Sequence, residues 1–253
     1  MNNITILSPS WKRAKTACTH KAVNNLRYVV CEAQADDYAK RKLPLLVCPD
    51  SAQGSTSRIR NWILDNSPTE NLVITDDDIG SFGRWDGNTK NRMKPEEVND
   101  FIESGFLLAE EWDCRYWGMN LLPDKGMCHE FRPFSLHNAI LGPFGGFRLP
   151  LPIRYPESLP LKEDYDFSLQ VLNKYRRVLR FNYVHYNAAQ HTNLGGCADF
   201  RNIQQELEQA RLLQKRWGPD IVRIEYGDKQ KKGQKKEAHY DINPLIRVPI
   251  GGI

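Results

Sequence analysis

Three consecutive carboxylates, Asp76, Asp77 and Asp78, follow the apolar run NLVIT at residues 71–75. Adjacent like charges repel, and aspartate is depleted from strands, so a strand that ends in three of them needs an explanation. Hard divalent cations such as Mg²⁺ or Mn²⁺ take oxygen ligands and keep positions open for water or substrate phosphates. The cluster therefore fits metal-bridged phosphate binding; a solvated acidic turn or a set of helix caps has the same composition. A second acidic pair, Glu163 and Asp164, stands immediately before YDFSLQVLNKYRR, a segment with helical periodicity. Acids in the first turn of a helix are favoured by its dipole, so this pair, too, has a purely structural explanation beside a chemical one.

The elements that must position these residues form a regular rhythm. ITILSPS (4–10), LRYVVCEAQ (26–34), LPLLVCPD (43–50) and NLVIT (71–75) have the composition of buried strands. Between them, AKTACTHKAVNN (14–25) is expected to be helical. STSRIRNWILDNS (55–67) has a Ser/Thr cap and an apolar stripe at Ile59, Trp62 and Ile63. Strands alternating with helices predict a parallel sheet covered on both faces, and ligands in such sheets bind beyond the carboxyl ends of the strands. The three aspartates occupy one such end. After Ile79 and Gly80 the segment with Phe82, Gly83 and Trp85 is expected to be a loop.

Composition narrows the classes. A chain of 253 residues with 40% apolar content can bury a sizeable core, and 35 basic against 31 acidic residues give a net charge of only +4. That balance permits a polyanionic partner without requiring one. No apolar run approaches the roughly 20 residues of a membrane span, and MNNITILSPSWKR does not have the form of a signal peptide. Six cysteines (18, 31, 48, 114, 128, 197) show neither zinc nor disulfide spacing, which points to a reducing, cytoplasmic setting.

Six segments in order resemble a glycosyltransferase of the GT-A fold: ILSPSWKRA with Pro9 and Arg13, TSRIRNWILD with Arg60 and Asn61, ITDDDI as the D-x-D motif, LGPFGGF as the glycine-rich loop on the acceptor side with Gly145 and Gly146, LKEDYDF with Glu163 and Asp164, and QHTNLGG with His191. The resemblance runs from Ile4 to about Arg201. It implies a Rossmann-like mixed sheet with helices on both faces and one domain. The chain would divide into a nucleotide-sugar-binding half (1–83), an acceptor-binding and catalytic half (84–227), and a basic segment with the C-terminal tail (228–253). It also implies that Asp78 and His191 ligate Mn²⁺ or Mg²⁺. Asp76, Asp77, Pro9, Arg13, Arg60, Gly145, Gly146 and Glu163 would line the donor, a UDP-sugar by the commonest usage of the fold. Asp164 would be the general base of an inverting transfer, with Asp166 in reserve. Arginine forks match phosphate oxygens, a carboxylate can take a proton from an attacking hydroxyl, and neutral imidazole is a reasonable Mn²⁺ ligand, so each role has its own physical sense.

Within that fold, SPSWKRA, TSRIRNWI, ITDDDI and EDYDFSLQVL are similar to the phage TET-associated glycosyltransferases. The resemblance implies a hydroxymethylated pyrimidine such as hydroxymethylcytosine in DNA as acceptor, and the host-cell cytoplasm as the place of action. SFGRWDGNTKNRMK (81–94) and EFRPFSLHN (130–138) interleave aromatic and basic residues, a pattern suited to base stacking and phosphate contact and equally to half-buried loop packing. The lysines of DKQKKGQKK, Lys229 to Lys236, form a basic segment that either holds polyanion or is a solvated surface. EQARLLQKRWGPDIVRIEY (208–226) reads as an amphipathic helix and a short strand, and INPLIRVPIGGI (242–253) regains the apolar character needed to dock back on the body.

Overall fold

In the computed structural model, residues 3–121, 124–128, 131–188, 202–224 and 243–248 are described. The first four strands, β1 (Ile4–Pro9), β2 (Leu26–Cys31), β3 (Leu45–Cys48) and β4 (Asn71–Thr75), pair in parallel in the order β3-β2-β1-β4, as the alternating pattern predicts. A short helix α1 (Ala35–Ala39) follows β2, and α2 (Thr56–Asp65) follows β3. Ser55 caps α2, its side chain accepting from the Arg58 amide at 3.1 Å. The expected helix at 14–25 is instead an irregular loop with one 3₁₀ turn at Thr19–Lys21. The physical reason is visible in its bonds: the amides of Cys18 and Thr19 donate to the Asp77 carbonyl, and Thr19 exchanges hydrogen bonds with the same acidic turn. Tertiary partners outcompete the local ladder.

After the aspartates the sheet becomes mixed. The segment expected to be a loop is strand β5 (Ile79–Asp86), which turns at Gly87 (φ +54°) and returns as β6 (Thr89–Arg92). Gly83 lies inside β5. Helix α3 (Pro95–Glu111) then leads to β7 (Tyr116–Asn120), the short β8 (Phe134–Ser135) and β9 (Phe144–Arg148). Strand β9 crosses back to pair antiparallel with both β4 and β7. Helix α4 (Glu163–Tyr175) and β10 (Leu179–Ala188) follow, and β10 joins β7 to β5. The strand order is β3-β2-β1-β4-β9-β7-β10-β5-β6, with β8 beside β10. Helix α5 (Ile203–Trp217) and the small ladder of β11 (Val222–Arg223) with β12 (Leu245–Ile246) complete the described chain, so the C-terminal apolar segment does dock back.

Two cores lie on the two faces of the sheet. On one, α3 packs Phe101 and Phe106 against Trp117, Phe144 and Phe181. On the other, α2 and α4 bring Ile59, Ile63, Phe167 and Val171 onto Leu72, Tyr116 and Phe147. Adjacent residues on β7 and on β4 therefore enter different cores, the alternation of a central strand. Gly145 and Gly146 stand within β9 rather than in a loop, which corrects the expectation for LGPFGGF. A Cβ on Gly145 would lie 2.7 Å from the Tyr116 ring, and one on Gly146 would overlap the Trp117 indole. The two glycines are accounted for by the aromatic side chains packed across them.

His185 on β10 is 1% exposed, and neither ring nitrogen has a hydrogen-bond partner among the described residues. It fills the space above Gly83, where a Cβ would lie 2.6 Å from Nε2. Burial, helped by the Lys90 charge, lowers its pKa to about 4. The folded state thus holds the ring neutral while the unfolded chain protonates near pH 6.5, so His185 is tolerated above that pH and costs stability as pH falls from 6.5 towards 4. Urea midpoints are expected to drop across this window, and His185→Gln is expected to reduce the slope by up to about 1.4 kcal/mol per pH unit.

Candidate active site

The acidic turn is clamped from both sides. The Asp76 amide donates to the Pro143 carbonyl (2.9 Å) on the approach to β9. On the other side the Thr19 hydroxyl donates to the Asp76 carbonyl (2.7 Å) and accepts from the Ile79 amide (2.9 Å). The carboxyls of the three aspartates then meet different surroundings. Asp77 is 2% exposed; it accepts from the Ser10 hydroxyl and from Arg13 Nη1 at 2.8 Å. The Tyr38 hydroxyl lies 2.7 Å from Ser10 Oγ and accepts from the Arg13 amide at 3.0 Å, so Asp77 anchors the loop after β1. Asp78 meets the same Arg13 nitrogen only at 3.3 Å. Burial first, then the charges of Asp76 and Asp77, push its pKa up to about 6 against the opposing pull of Arg13. Asp78 is thus a carboxylate short of positive charge.

Asp76 is tied to the far side of the site by Arg60, a buried residue one position after the core-facing Ile59 of α2. Its Nη2 donates to Asp76 Oδ1 at 2.9 Å and its Nη1 to Glu163 Oε1 at 3.1 Å. Its guanidinium stands 5.4 Å from the centre of the Tyr155 ring. Burial opposes the Arg60 charge, but Asp76, Tyr155 and Glu163 outweigh it and its pKa is raised. Neighbouring Asn61 donates to the Tyr155 carbonyl and accepts from the Tyr155 amide, both at 2.8 Å, which fixes the ring beneath Arg60. Each half of the Arg-Asn pair thus serves the same seam.

Glu163 and Asp164 open α4, as the periodicity requires. Burial and then the neighbouring Asp164 raise the Glu163 pKa despite Arg60. Asp164 is half-buried; its Oδ2 accepts from the Gly142 amide at 2.8 Å and its Oδ1 from the Tyr165 amide at 2.8 Å. Gly142 adopts φ +82°, a conformation side-chain-bearing residues rarely take. Asp166, the reserve base, is fully buried and accepts from Gln170 (2.6 Å) and Trp217 Nε1 (2.8 Å), with Arg216 Nε at 3.0 Å. Its carboxylate is committed to α5, which corrects its candidacy.

Arg13 with Asp77 and Asp78, and Arg60 with Asp76 and Glu163, therefore form two ion-pair clusters joined through the backbone of the acidic turn, with Asp164 beside the second. Pro9 closes β1 just before Ser10. His191 and the lysines at 229–236 lie outside the described residues. Among the described residues no group of three or more His, Cys, Asp or Glu side chains is placed to hold a metal ion by itself, and no helix is long and apolar enough to cross a membrane.

The mixed sheet, covered on both faces and with an acidic turn at the end of β4, is that of the GT-A glycosyltransferases. The mannosyltransferase PcManGT from Pyrobaculum calidifontis, solved with GDP-Man and Mn²⁺, is 13% identical with a TM-score of 0.50, and the match covers 84% of this chain and 64% of that one. S. aureus TarS (1–349) is 15% identical with a TM-score of 0.49, covering 84% and 65% of the two chains. A mycobacterial protein is 9% identical with a TM-score of 0.50 over 97% and 84%. The chain spans just under two thirds of the length of the first two. The comparison with curated proteins gives no match. Residues 4–196 match the family model of the TET-associated glycosyltransferases, and the chain belongs to that family.

One contact escaped sequence reasoning entirely. Lys162, the residue before Glu163, is 1% exposed, and its Nζ lies 2.5 Å from Oε2 of Glu206 on α5, which is 0% exposed. A lysine before two acids has the look of a surface residue, and only the packing of α5 reveals its partner. Removing one member of a buried pair leaves an uncompensated charge. Glu206→Ala is expected to lower unfolding stability by about 3–5 kcal/mol in urea titrations, and Lys162→Met with Glu206→Leu together to recover most of that loss.

Proposed function

We propose that the protein transfers a sugar from a nucleotide-sugar, UDP-linked, to the hydroxyl of a hydroxymethylated pyrimidine in DNA, with inversion at the anomeric carbon. The observation that carries the transfer reaction is the pair of arginine–carboxylate clusters that meet at the acidic turn, Arg13 with Asp77 and Asp78 and Arg60 with Asp76 and Glu163, with Asp164 beside the second. Arg13 and Arg60 border the acidic turn on either side, a charge arrangement suited to a diphosphate. Asp76 and Asp77, both engaged by arginines, organise the turn around the donor.

Asp78 fits a hard divalent cation. Its carboxylate oxygens are the donors such ions prefer, and burial followed by the charges of Asp76 and Asp77 raises its pKa, a load that a cation would offset. Asp78 would hold Mn²⁺ or Mg²⁺ together with oxygens of the donor diphosphate and water, and His191 is the second protein ligand on this reading. When bound, the ion supplies Lewis-acid neutralisation of the leaving diphosphate. Asp164 takes the proton from the acceptor hydroxyl: its two oxygens are held by the Gly142 and Tyr165 amides, so the carboxylate is already oriented. Glu163, drawn to Arg60, keeps the start of α4 against the donor side.

The DNA acceptor is supported by the family and by aromatic surface on the acceptor side. Phe131 is 92% exposed beside the exposed Arg132, a platform on which an extruded base could stack. Trp85 is half-buried with Lys125 Nζ 5.3 Å from its ring centre. Phe82, by contrast, is 1% exposed and belongs to the core, so only part of the interleaved aromatic segment is free to meet a ligand. Mass spectrometry of nucleosides from hydroxymethylated DNA incubated with the protein and a panel of nucleotide-sugars tests the assignment; transfer to glycans alone would replace it.

Asp78→Asn is expected to abolish the Mn²⁺-dependent part of UDP binding in calorimetry, and unchanged binding would move the ion elsewhere. Asp164→Asn keeps the shape of the side chain and removes its basicity. It is expected to lower kcat by about 10²–10⁴, and the wild-type product should show the inverted anomer by NMR.

A further inference from the structure

The edge of the sheet next to the acidic turn carries a cationic cleft that the donor chemistry leaves unused. It holds about 240 Å³ and is lined by Lys21, Ser81, Arg92 and Lys94 over Met93 and Pro95. Its parts come from four elements that converge there. Lys21 ends the 3₁₀ turn whose Thr19 grips Asp76. Ser81 lies on β5, three residues after Asp78. Arg92 ends the edge strand β6, and Lys94 caps α3. Met93, between the two cations, is buried, and its amide donates to the Phe82 carbonyl at 3.0 Å; that anchor fixes the backbone from which Arg92 and Lys94, both exposed, project.

The three cations have no ion-pair partner among the described residues. The nearest acids in sequence are engaged elsewhere. Glu97 accepts from the Lys94 amide at 2.8 Å and lies 3.9 Å from Arg84, while Glu96 accepts from the Asn24 side chain at 3.4 Å. In a chain with a net charge of only +4, three unpaired cations around one cleft are a local concentration of positive charge. The Ser81 hydroxyl, accepting from Asn187 at 3.2 Å, adds a hydroxyl donor. Such a set contacts phosphate oxygens without distinguishing bases.

We propose that this cleft seats backbone phosphates of the acceptor strand and holds it beside the acidic turn. The proposal rests on the reading that the acceptor is nucleic acid. The cleft shares the Thr19 turn and the start of β5 with the acidic cluster, so a strand anchored there is tied to the same loop that orients Asp76. Arg13 and Arg60, which flank the aspartates, remain for the donor. The cleft thus keeps the acceptor phosphates on a set of cations distinct from the arginines that meet the aspartates.

The test is fluorescence anisotropy of labelled duplex DNA across a salt titration, with the full-length protein. Lys21→Gln, Arg92→Gln and Lys94→Gln combined are expected to weaken binding for all sequences alike and to reduce the log–log salt slope by about 2–3, near 0.9 per phosphate neutralised. Arg92→Gln alone should reduce it by about 1, which keeps the test decisive if the triple variant folds poorly. Lys21→Arg, Arg92→Lys and Lys94→Arg combined should keep the wild-type slope. If the wild type binds DNA and the glutamine variants keep its slope, the cleft is not the phosphate site while the nucleic-acid reading stands. If the wild type binds no DNA, that reading fails and takes the proposal with it. Loss of UDP binding with DNA binding intact would assign the cleft to the donor and overturn the proposal.

Discussion

Arg60 is the constraint on which the rest of the site depends. A guanidinium buried to 6% exposure cannot remain there unpaired, because removing a charge from water costs several kcal/mol that only well-placed opposite charges offset. Its two partners come from separate elements: Asp76 follows the last residue of β4, and Glu163 begins α4. Satisfying one cation therefore fixes the separation between the acidic turn and the helix that carries Asp164. The Tyr155 ring beneath Arg60, locked by Asn61, removes the remaining freedom of the side chain.

The same principle divides labour among three chemically identical residues. Asp76, Asp77 and Asp78 differ only in what the fold places near each carboxyl. Asp77 meets Ser10 and Arg13 and is a structural bolt. Asp76 meets Arg60 and joins the halves of the site. Asp78 is buried, receives one long contact from Arg13, and meets the repulsion of its neighbours. Local competition for arginine partners, rather than sequence position alone, sets the electrostatic surroundings of each aspartate.

Support for α4 comes from further away. Helix α5 grips its N-terminal turn at two points: Glu206 holds Lys162 at the cap, and Trp217 with Arg216 holds Asp166 in the first turn. Between them, Leu213 packs with Leu159, Tyr165 and Leu169. An amphipathic C-terminal helix with no chemical residues of its own thus sets the tilt and depth of the helix that presents Glu163 and Asp164.

By itself the sequence determined the parallel half of the sheet, helices α2, α4 and α5, and the acidic, arginine and E-D segments, because hydrophobic periodicity, capping residues and turn-terminating charge are local signals. It also marked Arg13, Arg60, Asp76 to Asp78, Glu163 and Asp164, which the fold brings together, because each sits in a short motif of local residue types. Only the tertiary structure decided that 14–25 is a bonded loop, that 79–92 is a hairpin, and that Gly145 and Gly146 make room for Tyr116 and Trp117 inside a strand. Each of these outcomes is set by partners far away in sequence: the Asp77 carbonyl, the β10 edge and the rings of β7. The roles of Lys162, Glu206 and Asp166 were hidden for the same reason, since a charged residue reads as solvent-exposed until the fold shows which opposite charge it is buried against.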